Sequence, residues 1–245
     1  MAQVQVHADG IDLESPVLVE GLPGVGLVGK IATDHLVEAL DMTYYASARC
    51  DGLPDVAVYH EADPGVLPPV RIYADQERDL LALQSDVPIS PSEAAEFATC
   101  LTGWLAAEDV FPIYLSGLPA EKDGTPKLHG VATGDASSVL DDHDIAPPSQ
   151  GGLISGPTGA LLSEAEQAGL DSVGLVVESN PQFPDPESAR ALISDAIEPL
   201  AGIEVDTQKL VDQAEEIAQA RQQLAQQMSQ NTEESSQAKP LGMFQ

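Results

Sequence analysis

Lysine is almost missing from this sequence. The five present are Lys30, Lys122, Lys127, Lys209 and Lys239, and with the arginines the 245 residues hold 10 basic side chains against 40 acidic ones. A formal net charge of −30 repels phosphate backbones and anionic lipid surfaces, which excludes a general binder of nucleic acid or of membrane surfaces. Long apolar runs are missing too: nothing approaches the roughly 18 uninterrupted apolar residues of a membrane span. The stretch Met1–Gly10 has neither the basic start nor the apolar run of a signal peptide, so a soluble, cytoplasmic protein is expected. Cysteine is limited to Cys50 and Cys100. They fit no metal spacing and no disulfide framework, and read as small core residues of a reducing compartment. The histidines His7, His35, His60, His129 and His143 are scattered without ligand spacing, so no metal site is expected.

Hydrophobic residues nevertheless make up 43% of the chain, which excludes a disordered acidic tail. The length allows one large domain or two small ones. An acid-rich, lysine-poor composition in a folded chain suits strong salt, where repulsion is screened within a few Å. The cytoplasm of an extreme halophile is therefore expected, with an ordinary acidic protein of low salt as the alternative.

Apolar patterning gives a strand at Pro16–Glu20, a glycine loop over Gly21–Gly29 and a helix over Lys30–Leu40. Strand-like runs follow at Thr43–Ala48, Val56–His60, Val70–Tyr73 and Leu80–Gln84. Ser90-Pro-Ser-Glu93 reads as a capped helix start, with the helix running to Ala107. Val110–Leu115 is a buried strand ending at Gly117, Asp135–Asp142 a short helix, and Gly159–Ala168 a helix stopped by Gly169. Ser172–Val177 has the continuous apolar character of a strand inside a parallel sheet, and Asp185-Pro186 caps a helix to Leu200. The alternation predicts a three-layer α/β/α sandwich with a mixed, largely parallel sheet over residues 1–203, extended by antiparallel strands between Tyr44 and Gln84. A C-terminal helical segment occupies 204–230. Within it Leu210, Ala214, Ile217, Arg221, Leu224 and Met228 repeat in steps of four and three, a heptad seam with one charged interruption. The seam suits oligomerisation or packing on its own domain. Residues 231–245 form a flexible tail that turns apolar again at its end.

Gly24-x-Gly26-x-x-Gly29 after a strand and before a helix fits the dinucleotide fingerprint, with Asp51 as the one available ribose-binding acid. The same glycines also fit tight backbone packing between strand and helix with no ligand, which is the favoured reading. Gly24 to Lys30 approaches a phosphate-binding loop, but Ile31 stands where Ser or Thr would hold Mg²⁺. Ser155–Gly159 before a helix suits an anion or a tight turn. Ser116 lacks the glycine of a nucleophile elbow, His35 reads as a core or interface histidine, and Asp141–Asp144 as a solvated acidic loop. No catalytic residue and no cofactor follow from the pattern. A nucleotide- or small-molecule-binding enzyme using Gly24–Lys30 stays as the alternative function.

Four segments resemble one family. Val19–Ala32 (VEGLPGVGLVGKIA) resembles the N-terminal signature of the proteasome assembly chaperones, in the branch of the second chaperone subunit and its archaeal relatives. Gly151–Leu162 (GGLISGPTGALL), Val173–Pro181 (VGLVVESNP) and Asp185–Arg190 (DPESAR) follow in matching order over most of Pro16–Leu210. The signature positions are Gly21, Pro23, Gly24, Gly26, Gly29, Gly156 and Gly159. The resemblance implies a three-layer α/β protein, a homo-oligomer that binds rather than catalyses. Its implied partners are the α subunits of the proteasome core. Some archaeal members and other proteasome activators end in an apolar residue, Tyr and one more residue, and Met243-Phe244-Gln245 is similar to that tripeptide with Phe for Tyr. An apolar anchor, a ring in a pocket and a captured carboxylate would make such a tail a docking element.

The composition carries its own expected outcome. The melting temperature should rise between low and molar KCl, because screening removes repulsion among the carboxylates. A melting curve that does not move with KCl would sink the halophile reading.

Overall fold

The computed structural model describes residues 3–8, 10–51, 53–59, 61, 64–120 and 124–220. Its strands are β1 (Gln3–Val6), β2 (Val17–Gly21), β3 (Thr43–Arg49), β4 (Val70–Asp75), β5 (Leu80–Ser85), β6 (Phe111–Pro119), β7 (Leu128–Thr133) and β8 (Ser172–Ser179). The helices are α1 (Val28–Ala39), α2 (Ala94–Ala107), α3 (Ser137–Asp142), α4 (Gly156–Ala168), α5 (Pro186–Leu192) and α6 (Glu198–Ala201), with α7 over 208–220.

The strands form one mixed sheet in the order β1-β3-β4-β5-β2-β6-β8-β7. β5, β2, β6 and β8 run parallel at its centre. β4, β3 and β1 extend it antiparallel on one side and β7 on the other. Period-two alternation sends neighbouring residues to opposite layers. Val19, Leu80, Ala82, Ile113 and Leu175 pack with α1 and α5. Leu18, Leu81, Leu83 and Tyr114 pack with α2 and α4. Burial on both faces is why the central strands are almost wholly apolar, and the expected three-layer α/β fold is the one observed.

Several elements differ from the sequence reading. Val56–His60 is no strand: among the described residues there, an isolated bridge pairs Val58 with Leu67. The edge strands β1 and β7 do not stand out in the sequence: β1 alternates over only four residues, and β7 carries Gly130 within a mixed run. Ser90 does not cap α2. Its hydroxyl bonds the Glu93 carboxylate at 2.5 Å within a turn, and the helix begins at Ala94. The helix after Asp185 is capped as expected, the carboxylate accepting from Ser188 N–H. It then widens to a π turn at Ile193–Ile197 ahead of Pro199, which has no N–H to offer and crowds the preceding turn.

The cysteine reading is overturned. Cys50, just past β3, and Cys100 in α2 form a disulfide with Cα atoms 5.8 Å apart. Both lie in apolar surroundings, but the fold brings β3 beneath α2 and so joins two residues that sequence spacing keeps apart. Closing a loop of 50 residues restricts the unfolded chain enough to stabilise by about 4 kcal/mol on the chain-entropy account. Reduction with dithiothreitol, or the double substitution Cys50→Ala with Cys100→Ala, should therefore lower the urea midpoint clearly. Equal midpoints for oxidised and reduced protein would refute the pairing.

Candidate functional site

The first signature segment leaves β2 and crosses to α1 on one face of the sheet. The second opens α4, which packs on the other face. Between them a crevice opens at the carboxyl ends of β2 and β6, the place where open α/β sheets hold their ligands. β6 outruns β2 here: their pairing stops at Glu20 with Tyr114, while β6 continues to Pro119 beside β8. The cleft measures about 330 Å³ and is lined by Leu22–Val25, by Leu115–Pro119 and by Leu153–Thr158, with no charged side chain. Its rim is apolar and open. Leu153 is 98% exposed and Leu118 45%.

The glycines serve close approach. Gly26 adopts φ 63°, and a Cβ there would collide with the Ser179 hydroxyl. A Cβ on Gly117 would strike the Val25 carbonyl, and one on Gly159 the Ile154 carbonyl. Asp185 N–H also donates to Gly26 C=O at 2.9 Å. Leu27 follows in the left-handed region at φ 52°, a conformation that costs a non-glycine residue about 1 kcal/mol or more.

Behind the cleft lies Glu20, fully buried at the end of β2. One carboxylate oxygen accepts from Leu22 N–H at 2.8 Å, the other from Leu115 N–H at 3.1 Å, and the Thr158 hydroxyl lies 3.4 Å from both. These bonds tie the glycine loop, β6 and the first turn of α4 to a single side chain. Burial pushes the Glu20 carboxyl up to about 7, against the opposing pull of those donors. Burial, and then the Glu20 charge, also push up the Tyr114 phenol beside it.

Of the signature positions, Pro23, Gly24, Gly29 and Gly156 line the cleft, while Gly21, Gly26 and Gly159 pack against Thr33, Ser179 and Ile154. It breaks up the nucleotide constellation. Asp51 follows β3, which is separated from β2 by β4 and β5, so it is not the acid of an adjacent strand. Lys30 is committed elsewhere: its ammonium pairs with Asp34 at 2.8 Å and Asp86 at 3.4 Å, beside the Arg71–Asp86 pair at 2.6 Å. His35 Nε2 contacts the Asp206 carbonyl at 2.7 Å and so holds the chain leading into α7. Ser116 and Ser155 line the cleft. Among the described residues no three His, Cys, Asp or Glu side chains are placed to hold a metal, Asp141–Asp144 included, and no helix is long and apolar enough to cross a membrane. Of the seam, Leu210 is buried in the core, while Ala214 and Ile217 border a groove with Pro184–Glu187 of their own domain. Arg221, Leu224, Met228 and the tail Met243, Phe244 and Gln245 lie outside the described residues. Sequence reasoning missed Glu20. The available signal was a carboxylate closing the apolar run of a central strand, where burial is the rule.

Glu20 sets a pH dependence. Its folded pKa of about 7 exceeds the ordinary 4.5, so the folded state holds the proton more tightly. Its contribution is complete below about pH 4.5 and is lost as pH rises towards 7, by roughly 3 kcal/mol in all. In urea unfolding, the stability of wild type relative to Glu20→Gln should fall by most of that amount between pH 5 and 8. A difference that stays flat across this range would contradict the buried, cation-free carboxylate.

Comparison with known proteins agrees with this geometry. The uncharacterized protein MJ0106 of Methanocaldococcus jannaschii is 28% identical over 219 residues, covering 89% of this chain and 88% of that one. A Pyrococcus furiosus structure, PbaA, described as an archaeal homolog of proteasome-assembly chaperone, matches with a TM-score of 0.76 at 26% identity, covering 94% of this chain and 99% of its own. Pyrococcus furiosus PbaB, described as an archaeal proteasome activator, matches with a TM-score of 0.78 at 22% identity, covering 91% and 98%. The PAC2 family profile matches residues 18–225, a span holding both walls of the cleft, the Glu20 hub and α7, and the chain belongs to the PAC2 family.

Proposed function

We propose that this protein is a non-enzymatic proteasome-binding chaperone or adaptor, which docks on the α subunits of the core particle. The observation that carries the reading is family membership over residues 18–225, together with likeness to PbaA and PbaB, whose descriptions name proteasome assembly and activation. The glycine loop supports it. Gly21 and Gly26 are packed against the side chains of Thr33 and Ser179, and Lys30 is paired with carboxylates, an arrangement that favours protein packing over a nucleotide. The exposed Leu118 and Leu153 at an uncharged cleft suit contact with protein surfaces.

Met243, Phe244 and Gln245 act as the docking element. Phe in place of Tyr forgoes one hydrogen bond, which costs each tail about 1 kcal/mol, and several tails on a homo-oligomer restore affinity through avidity. Residues 204–230, through Leu210, Ala214, Ile217, Leu224 and Met228, contribute to that oligomer. The setting is the cytoplasm of a salt-adapted archaeon, in the branch of the second chaperone subunit.

Pull-down of purified α subunits in molar KCl is the test. The wild-type chain should retain them, the chain lacking Met243–Gln245 should lose most of the binding, and Phe244→Tyr should tighten it about fivefold. Equal retention by the wild-type and shortened chains would remove the tail's role. Retention by neither would remove the partner.

A further inference from the structure

The cleft at the carboxyl ends of β2 and β6 exposes more apolar than polar surface, and no charged side chain lines it. Leu118 and Leu153 stand in solvent at its edge, and neither belongs to either core layer. Its volume of about 330 Å³ lies in the range of clefts that hold a small ligand or a few side chains.

The path of the chain supplies the occupant. α1 starts beside the cleft at Val28 and ends at the amino pole of the sheet. Lys209, at the start of α7, pairs with Glu38 in the last turn of α1. Further along α7, Ala214, Ile217 and Ala218 border a groove with residues 184–187, beyond the carboxyl end of β8. α7 therefore climbs from the amino pole to the carboxyl pole, antiparallel to α1. It arrives next to the cleft. Asp185 in the groove donates its N–H to Gly26 C=O at 2.9 Å, and Val25 beside Gly26 lines the cleft. The chain thus leaves α7 at Ala220 at the cleft's own pole, with residues 221–245 to follow.

Charge favours that segment over a second copy of the domain. Arg221 and Lys239 balance Glu233 and Glu234, so the side chains of 221–245 add no net charge and the whole −30 belongs to the residues before them. A second domain would bring that charge to the rim again. Residues 240–245 hold Leu241, Met243 and Phe244 and no charged side chain, which matches the uncharged apolar lining. Reach is sufficient. Residues 221–240 extend to roughly 65 Å at most, more than the width of about 45 Å expected for a domain of this length. A tether of this length presents the segment at an effective concentration on the order of 1 mM. An affinity of only about 0.1 mM in trans then keeps the cleft filled about nine tenths of the time.

We propose that Leu241, Met243 and Phe244 of the same chain dock in this cleft, so that tail and cleft cover one another. The segment is the one to which the proposed function assigns contact with the core particle, and a tail held here is withheld from any outside partner. The contact itself does not depend on that role.

Amide hydrogen exchange on the isolated full chain, with no α subunits present, is the test. In wild type the loop amides of residues 152–155 should exchange about tenfold more slowly than in the chain lacking Leu241–Gln245, as nine-tenths occupancy requires. The ratio should not vary with protein concentration. A peptide of residues 240–245, added at millimolar concentration to the shortened chain, should restore the protection. Leu118→Asp combined with Leu153→Asp should remove it from the full chain. Both side chains are exposed, so the fold is retained, and circular dichroism checks this. Equal exchange in the full and shortened chains would overturn the proposal. So would full protection in the folded double variant, or a difference that grows with protein concentration, the sign of a tail seated on a second copy. These outcomes stand apart from the pull-down, which tests the partner.

Discussion

Glu20 is a carboxylate taken out of water with no cation beside it, and the upper half of the molecule is arranged around that choice. Its two oxygens accept from backbone groups of the glycine loop and β6, and the Thr158 hydroxyl of α4 approaches both. A neutral apolar residue here would leave Leu22 N–H and Leu115 N–H unbonded in the interior, at about 1–3 kcal/mol each. The carboxyl therefore acts as a clamp between two segments more than 130 residues apart in sequence, as the separation of Glu20 from Thr158 shows. The glycines are the other half of the same device. Gly26, Gly117 and Gly159 let the backbones close to distances that a side chain would forbid.

This close packing gives glycines of a dinucleotide-like fingerprint a role in joining parts of the protein. In a nucleotide-binding loop the absent Cβ atoms make room for phosphate. Here the same absence makes room for protein: the Val25 carbonyl against Gly117, Ser179 against Gly26 and Thr33 against Gly21. Sheet order completes the argument, because β4 and β5 stand between β2 and β3. An acid at the end of β3 is then three strands removed from the loop it would have to serve.

Layer order and the central strands were legible because continuous apolar runs between glycine and proline breaks report burial on both faces. The helix ends at Asp185 and Gly169 were legible from side-chain capping and a left-handed stop. Edge strands β1 and β7 were not, since β1 alternates over only four residues and the pattern of β7 is broken by His129 and Gly130. The Cys50–Cys100 pair was illegible for a different reason: a contact over 50 residues depends on how β3 passes beneath α2, which no local pattern encodes. The resemblance over Val19–Ala32 and Gly151–Leu162 brought both walls of the cleft into view, but not the buried side chain that joins them.

The charge of −30 gains meaning from where it is withheld and where it is left uncompensated. At the carboxyl pole the cleft has no charged lining while Leu118 and Leu153 stand in solvent. In a chain so rich in carboxylates, an uncharged rim with exposed leucines is a local exception to the charge that otherwise covers the surface. At the amino pole the opposite holds, where Asp12 and Glu108 border a cleft beside the end of α2, whose last turn contains no basic side chain. Elsewhere scarce cations are spent on carboxylates, Lys30 on Asp34 and Asp86, Arg71 on Asp86 and Lys209 on Glu38. With 40 acidic side chains against 10 basic ones, most carboxylates have no cation to pair with, and screening by dissolved salt is what relieves their repulsion.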